Sequence, residues 1–296
     1  MPAQILSGKE VARKFRKQVR IRVQELVDNG MSRPNLTVIQ VGDDPGSTVY
    51  VRSKIRACEK LGIDSAMHKI EDTVSRDELI HLIHTLNADE RVSGVLVQLP
   101  LPPHLNATEI INEVDPARDV DCLHPANVGR LWLGDSYVTP CTPQGIIEIL
   151  AHYGIELKGK RAVIIGRSNI VGKPLAALML AKHATVTLCH SRTVDLPGVA
   201  READVLVAAV GKPEMVTADY VKEGAVVIDV GVNRKAGADG EKVLAGDVDF
   251  AAAEEKASAI TPVPGGVGPM TIAMLMTNTL SCYEYQHGLS SQGSGN

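Results

Sequence analysis

The chain has 296 residues, enough for one large domain or two ordinary ones with a sizeable core. Its 35 acidic and 31 basic side chains leave a formal charge of −4, which argues against a nucleic-acid-binding surface, and no run of 18 apolar residues is present to span a membrane. The five cysteines, at 58, 122, 141, 189 and 282, form no C-x-x-C pair and read as reduced thiols of a cytoplasmic protein, with no disulfide framework and no zinc site. His81 and His84 lie one turn apart on a predicted helix, but no third ligand is near them in sequence, so no metal is expected.

Residues 9–22 are basic and amphipathic, with Glu10 the only acid in the first 22, a composition shared with targeting presequences. A structural helix explains them better. Ser7-Gly8-Lys9-Glu10 has the form of a capping box, Val11, Phe15, Val19 and Val23 recur at helical spacing, and Gly30 can end the helix. Residues 36–41 read as a strand, 47–60 as a helix stopped by Gly62, and 63–70 as a second strand. Ser75 with Glu78 caps a helix to about Asn87, and residues 94–99 form a buried strand ended by Pro100-Leu101-Pro102-Pro103. A short helix over 107–114 follows, so this half alternates strand and helix as a parallel sheet covered by helices does. Residues 119–142, with the only tryptophan, Trp132, read as loop, and a helix over 144–153 leads into a second lobe.

That lobe begins with an apolar strand over 162–165, broken by Gly166. Gly172 and Pro174 then open an apolar helix running to His183. Strand, glycine turn and helix together point free backbone N–H groups at an anion. The spacing is not G-x-G-x-x-G. It is not an NTPase phosphate loop either, since five residues separate Gly166 from Gly172-Lys173 and Pro174 occupies the magnesium-holding position. Taken alone, the motif is as compatible with an ordinary βα turn. The next strand, 184–188, ends in Cys189-His190-Ser191-Arg192. In a dinucleotide fold the strand end about 20 residues on reads the adenosine ribose, and NAD sites place a carboxylate there. Serine and arginine instead favour NADP, with Arg167, Ser191 and Arg192 as contacts to its 2′-phosphate.

Strands over 205–210 and 226–230 end in Gly211 and Gly231, leaving bare backbone where ligands bind in open α/β sheets. Val232 and Asn233 are expected to line the nicotinamide side. A helix near 218–222 connects the two strands. A last strand, 258–260, runs into a Pro/Gly-rich segment and a long apolar helix over 271–285, whose period fits packing on the first lobe. The polar tail 290–296 is expected to be disordered.

Three features of the first half could carry chemistry. Tyr50 and Lys54 stand one helical turn apart on one face, a spacing that is common surface decoration by itself. Gln98 closes a buried strand at the rim of a parallel sheet. Asp119 and Asp121 flank Val120 in a segment where an aspartate can equally cap its own turn.

Tyr50-Val51-Arg52-Ser53-Lys54, Val97-Gln98-Leu99-Pro100-Leu101-Pro102, Asp119-Val120-Asp121, Gly166-Arg167-Ser168-Asn169-Ile170-Val171-Gly172-Lys173-Pro174 and Pro262-Val263-Pro264-Gly265-Gly266-Val267-Gly268-Pro269-Met270-Thr271 together resemble the bifunctional methylenetetrahydrofolate dehydrogenase/methenyltetrahydrofolate cyclohydrolase family. The resemblance runs from about Ile5 to Tyr285. It implies an α/β fold of two lobes: an N-terminal folate/catalytic lobe (1–143 plus 270–290) and a Rossmann-like NADP-binding lobe (144–269), with the C-terminal helix returning to the first. It also implies a cytoplasmic homodimer paired through the NADP lobe. The implied activity is NADP-dependent oxidation of 5,10-methylenetetrahydrofolate to 5,10-methenyltetrahydrofolate. Hydrolysis to 10-formyltetrahydrofolate follows, within one-carbon metabolism and purine biosynthesis. Lys54 would be catalytic, Gln98 would hold and tune it, and Asp121 would bind the pterin. Tyr50 would stack on the folate rings, with Leu99, Pro100, Pro264, Gly265 and Gly266 lining the folate site. Gly166, Arg167, Ser168, Ile170, Ser191, Arg192, Gly211 and Val232 would contact NADP. Cys122 stands where the family usually has glycine, and Val232 where isoleucine is commoner. Two alternatives stand beside this reading: a member that keeps only the dehydrogenase, and a non-catalytic NADP- or folate-binding protein on the same scaffold.

Overall fold

The computed structural model describes residues 2–236 and 242–289. The expected disordered tail, 290–296, lies outside the described residues. The chain opens with β1 (Gln4–Ile5) and α1 (Gly8–Asp28), and it divides into two compact units. One comprises Lys14–Cys141 and the chain from Ile272 onward; the other comprises the chain up to Arg13 and Thr142–Thr271.

The first of these units is built on three parallel strands, β2 (Asn35–Val41), β3 (Asp64–Ile70) and β4 (Gly94–Val97), in the order β3-β2-β4. They are linked by α2 (Pro45–Leu61) and α3 (Arg76–Ala88). Asp44 caps α2 through the Ser47 N–H, and Gly62 ends it at φ 76°, the left-handed conformation that glycine adopts without steric cost. The expected Ser75–Glu78 capping box opens α3. The chain goes from β2 out to β3 and then crosses back to β4, so its topological switch point lies between β2 and β4. Ligands in open α/β sheets bind outside the carboxyl ends at that point. Ile39, Val41, Val95 and Val97 pack with Leu79, Ile83 and Ile110 as the core of this unit.

Beyond β4 come α4 (Ala107–Asn112) and α5 (Pro125–Leu133). The sequence reading placed loop across 119–142 and missed α5. Its signals are local: His124 Nδ1 accepts the Ala126 N–H, a proline occupies the first turn, and Gly134 ends the helix at φ 76°. α6 (Cys141–His152) begins earlier than expected.

The second unit is a six-stranded parallel sheet in the order β1-β11-β8-β7-β5-β6. It contains β5 (Arg161–Ile165), α7 (Gly172–Ala181), β6 (Thr185–Cys189), α8 (Leu196–Ala200), β7 (Val205–Ala208) and β8 (Val226–Asp229). The hairpin strands β9 (Asn233–Ala236) and β10 (Lys242–Ala245) follow, then α9 (Phe250–Glu254), β11 (Ala259–Ile260) and α10 (Val267–Gln286). The helix expected over 218–222 is a single 3-10 turn, Ala218–Tyr220. The core is aliphatic, with Val163, Ile165, Leu206, Ala208, Val227 and Ile260 inside.

The division differs from the expected boundary at the N-terminus, since the chain up to Arg13 groups with Thr142–Thr271. Two residues of β1 extend the sheet beside β11, and a Cβ on Gly8 would collide with Gly266 O. The capping box expected at Ser7 is replaced. The Ser7 N–H donates to Tyr153 Oη at 2.9 Å, while Glu10 Oε1 lies 3.6 Å from His152 Nε2.

α10 from Ile272 on packs with the three-stranded unit, as the sequence predicted. The buried Asn278 uses its side-chain amide to donate to Val120 O at 2.8 Å and Thr139 O at 2.7 Å. Gln286 Nε2 likewise donates to Ser93 O and Ala117 O. Asn278→Leu would take this donor from the half-buried Thr139 carbonyl and leave the buried Val120 carbonyl with only the weak Cys141 thiol donor at 3.6 Å, and it is expected to destabilise this unit by about 2 kcal/mol. A lowered midpoint of urea unfolding checks this; an unchanged midpoint contradicts it.

Candidate active site

α2 carries Tyr50 and Lys54 one turn apart, and β4 delivers Gln98 to the switch-point end of its sheet. Lys54 Nζ donates to Gln98 Oε1 at 2.9 Å. Gln98 Nε2 donates to Leu99 O at 2.6 Å, which fixes the amide so that its oxygen faces the ammonium. Tyr50 is 42% exposed on the same helix, and the Leu99–Pro100 peptide is cis.

Asp119 and Asp121 divide the work that the sequence left open. Asp119 is the turn aspartate: it accepts from the Leu123 and His124 N–H groups and from Asn127 Nδ2 at 3.2, 2.8 and 3.0 Å. Its parallel bridge to Val95 sets the segment alongside β4 and brings Asp121 level with that strand's carboxyl end. Asp121 then faces Lys54. Burial raises its carboxyl above the ordinary carboxylate range, the Lys54 ammonium draws it back, the Asp119 charge adds to the rise, and the Cys141 thiol lowers it.

Cys141 was not singled out from the sequence, where a lone thiol before Thr142-Pro143 carries no signal. Its Sγ lies 3.6 Å from Asp121 Oδ1, and burial pushes the thiol far up, so it stays a neutral donor to the carboxylate. Cys122 explains why glycine suits its position. Its φ is 57°, left-handed backbone that costs a side chain about 1 kcal/mol, while its side chain is fully buried.

The other unit holds the remaining candidates. Its chain runs from β5 out to β6 and crosses back to β7, so the switch point lies between β5 and β7. Gly166 follows β5 there at φ 127°, and a Cβ on it would collide with Ala209 O. A Cβ on Gly172 would collide with Gly166 O, so the helix start can approach the turn only with glycine. Ser168 Oγ accepts the Val171 N–H at 3.1 Å, tying the turn to α7. The exposed side chains of Arg167 and Arg192 enter no ion pair among the described residues.

The register Ile165↔Cys189 and the bond from Gly166 N–H to Cys189 O bring this turn beside Ser191 and Arg192. His190 Nδ1 accepts the Arg192 N–H and Thr193 Oγ1 accepts the His190 N–H, fixing that second turn. Gly211 has φ 67°, Ile170 and Val232 are exposed, and Asn233 turns its amide to Asp247 rather than outward. Pro264, Gly265 and Gly266 belong to this unit, where Gly265 O accepts the Lys9 N–H at 3.1 Å. These features fit a phosphate-bearing dinucleotide: a bare turn at a helix start, two uncommitted guanidinium groups, and glycine at two strand ends.

The pH dependence of stability tests the Lys54–Asp121 relation. An aspartate whose folded pKa is raised stabilises the fold below its unfolded value of ~3.9, and that contribution is lost as pH rises through the folded value. Lys54→Met removes the charge that draws Asp121 down, so its folded value rises further. The variant's melting temperature relative to the unmodified protein is therefore expected to be lower at neutral pH than near pH ~4. A difference independent of pH would contradict the coupling.

The chain matches two family models: tetrahydrofolate dehydrogenase/cyclohydrolase, catalytic domain, over residues 6–121, and the NAD(P)-binding domain of the same family over residues 140–287. It is 55% identical over 280 residues to the bifunctional protein FolD of Moorella thermoacetica, covering 95% of this chain and 98% of that one. Among solved structures it resembles the bifunctional FolD of Campylobacter jejuni, with 46% identity, TM-score 0.91, and coverage of 96% and 99% of the two chains. It also resembles Trypanosoma brucei FolD complexed with NADP cofactor and inhibitor, with 37% identity, TM-score 0.92, and coverage of 97% and 99%. Both halves of the sequence are matched and nearly the whole length of these relatives is covered, and the chain belongs to the tetrahydrofolate dehydrogenase/cyclohydrolase family.

Proposed function

We propose that this protein oxidises 5,10-methylenetetrahydrofolate with NADP and hydrolyses the resulting methenyl compound to 10-formyltetrahydrofolate, with Lys54, Gln98 and Asp121 as its catalytic group. The observation that carries this reading is the Lys54–Gln98 hydrogen bond beside Asp121 at the switch-point end of a parallel sheet. The intact cluster argues against a binding protein without catalysis and against a dehydrogenase that has lost hydrolysis.

The chemistry assigns the side chains unequal roles. The substrate carries a CH₂ between two nitrogens, whose lone pairs stabilise the cation left when hydride departs. That step needs placement of the reacting carbon and no protein base. Bound NADP supplies the hydride acceptor. Hydration of the methenyl cation, by contrast, requires protons to move from the attacking water and onto the leaving nitrogen. Lys54 is the group poised for this work. Gln98 holds it through a neutral acceptor, leaving the ammonium uncancelled at close range. Asp121 accepts hydrogen bonds from the pterin, and its raised pKa fits a carboxyl that faces a partly apolar ring system. Tyr50 offers a ring for stacking, and Leu99 and Pro100 of the same unit are assigned to the folate with it, as are Pro264, Gly265 and Gly266. Gly166, Arg167, Ser168, Ile170, Ser191, Arg192, Gly211 and Val232 are assigned to NADP, with the two arginines on the 2′-phosphate.

The thiols found free and buried fit a reducing compartment, and we assign the protein to the cytoplasm. Pairing of two copies through the nucleotide unit, and service to purine biosynthesis through the formyl product, belong to the same reading. Light scattering that shows a monomer at micromolar concentration would remove the dimer from it.

The activity is tested by mixing the protein with methylenetetrahydrofolate and NADP and following NADPH and methenyl absorbance separately. NADPH should form with little transient methenyl, and NAD should serve poorly. Arg167→Ala is expected to raise KM for NADP by about ten-fold or more and to leave KM for NAD nearly unchanged, since only the phosphate ester loses a charge-assisted partner. Equal losses for the two cofactors would overturn the phosphate assignment.

A further inference from the structure

Two buried carboxylates of the nucleotide unit have no part in the chemistry above. Asp229 ends β8 and is 3% exposed; Asp247 follows β10 and is fully buried. Asp247 Oδ2 accepts the N–H groups of Val210 at 2.6 Å and Gly211 at 3.0 Å. Its Oδ1 accepts the Lys212 N–H at 3.0 Å and Asn233 Nδ2 at 2.8 Å. Asp229 stands behind it, accepting the N–H groups of Gly231, Asp247 and Val248 at 2.9, 2.9 and 3.0 Å. A Cβ on Gly231 would collide with the Asp247 side chain, and one on Gly246 with that of Asp229. The arrangement is therefore closed on all sides, with glycine required at two contacts.

The donors are not scattered. Val210, Gly211 and Lys212 form the loop at the carboxyl end of β7, beside the switch point, and Asn233 follows the corresponding end of β8. In a planar trans peptide the carbonyl points opposite to the N–H. Turning three consecutive N–H groups to Asp247 therefore turns the carbonyls of Ala209, Val210 and Gly211 away from it. Ala209 O indeed faces the Gly166 turn on the far side. An ionised carboxylate can receive all four donors at once because it is acceptor-only, whereas an amide of the same shape would set its own N–H groups against them.

We propose that Asp247, backed by Asp229, is a positioning residue of the cofactor site: it holds the Asn233 amide inward and sets the peptide planes of residues 210–212, against which the nicotinamide end of NADP packs. The proposal rests on the reading of this unit as the NADP site. Asp247 itself touches no reacting atom. Its effect is exerted through the loop, so the loop should already be ordered before cofactor arrives, lowering the cost of binding.

Asp247→Asn tests this with two assays on one preparation. Dehydrogenase turnover needs cofactor, while hydrolysis of added methenyltetrahydrofolate can be run with none. The variant is expected to raise KM for NADP by about ten-fold or more, the scale of lost hydrogen bonds to a charged acceptor, with cyclohydrolase within about two-fold of the unmodified protein. A parallel fall in both activities would make Asp247 a merely structural residue, and unchanged KM would remove its role altogether; either overturns the proposal. Should the variant fail to fold, hydrogen exchange on the unmodified protein decides. Amides 210–212 are expected to be protected before NADP is added, and protection appearing only with NADP would overturn the proposal. If the unmodified protein shows no saturable NADP reduction, the nucleotide-site reading itself fails, a result distinct from all of these.

Discussion

The hydrogen bond from Lys54 Nζ to Gln98 Oε1, with Asp121 close by, is the contact around which the three-stranded unit is arranged. An ammonium and a carboxylate gathered among packed residues are costly unless each finds partners. The fold supplies these from three separate elements. α2 presents the lysine, β4 ends at the glutamine, and the segment after Arg118 is pinned to β4 so that the aspartate arrives level with its carboxyl end. Asp119 secures that segment from one side and Asn278 of α10 from the other, while Cys141 gives the carboxyl a thiol donor. The C-terminal helix thus does more than cover apolar surface; its amide takes up the Val120 carbonyl next to the aspartate.

The nucleotide unit solves a different problem with different means. Its turns carry little side-chain volume, because Gly166 and Gly172 must let backbone approach backbone at the switch point. The Arg167 and Arg192 guanidinium groups are exposed beside these turns, and Asp247, backed by Asp229, accepts the N–H groups of Val210, Gly211 and Lys212. Burial raises the Asp229 carboxyl to about 6, opposed by its three backbone N–H partners and reinforced by the Asp247 charge. In the proposed reading, proton transfer and the holding of the hydride acceptor fall to different groups, so the two half-reactions can be assayed apart.

Much of this was legible in the sequence, for identifiable reasons. Strands with continuous apolar runs and helices with clear caps, such as β4 and α3, fall where periodicity puts them, because local preference and tertiary packing agree there. The motifs around Lys54, Gln98 and Asp121 indicated chemistry, but their spacing alone could not separate Asp119 as the turn aspartate from Asp121 as the one facing Lys54. That distinction comes from a bridge to Val95, a long-range contact without a local signature. α5 was missed although a proline and a glycine bracket it, because its capping group is a histidine rather than Ser, Thr, Asp or Asn. β1 was missed because two residues carry no period. Cys141 and Asp247 were missed because a single thiol or carboxylate reveals its partners only once the chain is folded.

The central claim is that Lys54 moves protons in the hydrolytic step and only places substrate in the oxidative one. Steady-state assay of the two half-reactions for Lys54→Met, which keeps side-chain length and removes the amine, tests it most directly. The account expects cyclohydrolase to fall by about 10²-fold or more, the usual scale for a general acid–base group, with dehydrogenase falling less and methenyltetrahydrofolate released as product. Parallel loss of both activities, chiefly through KM for the folate, would show that Lys54 only binds the substrate and would contradict the account.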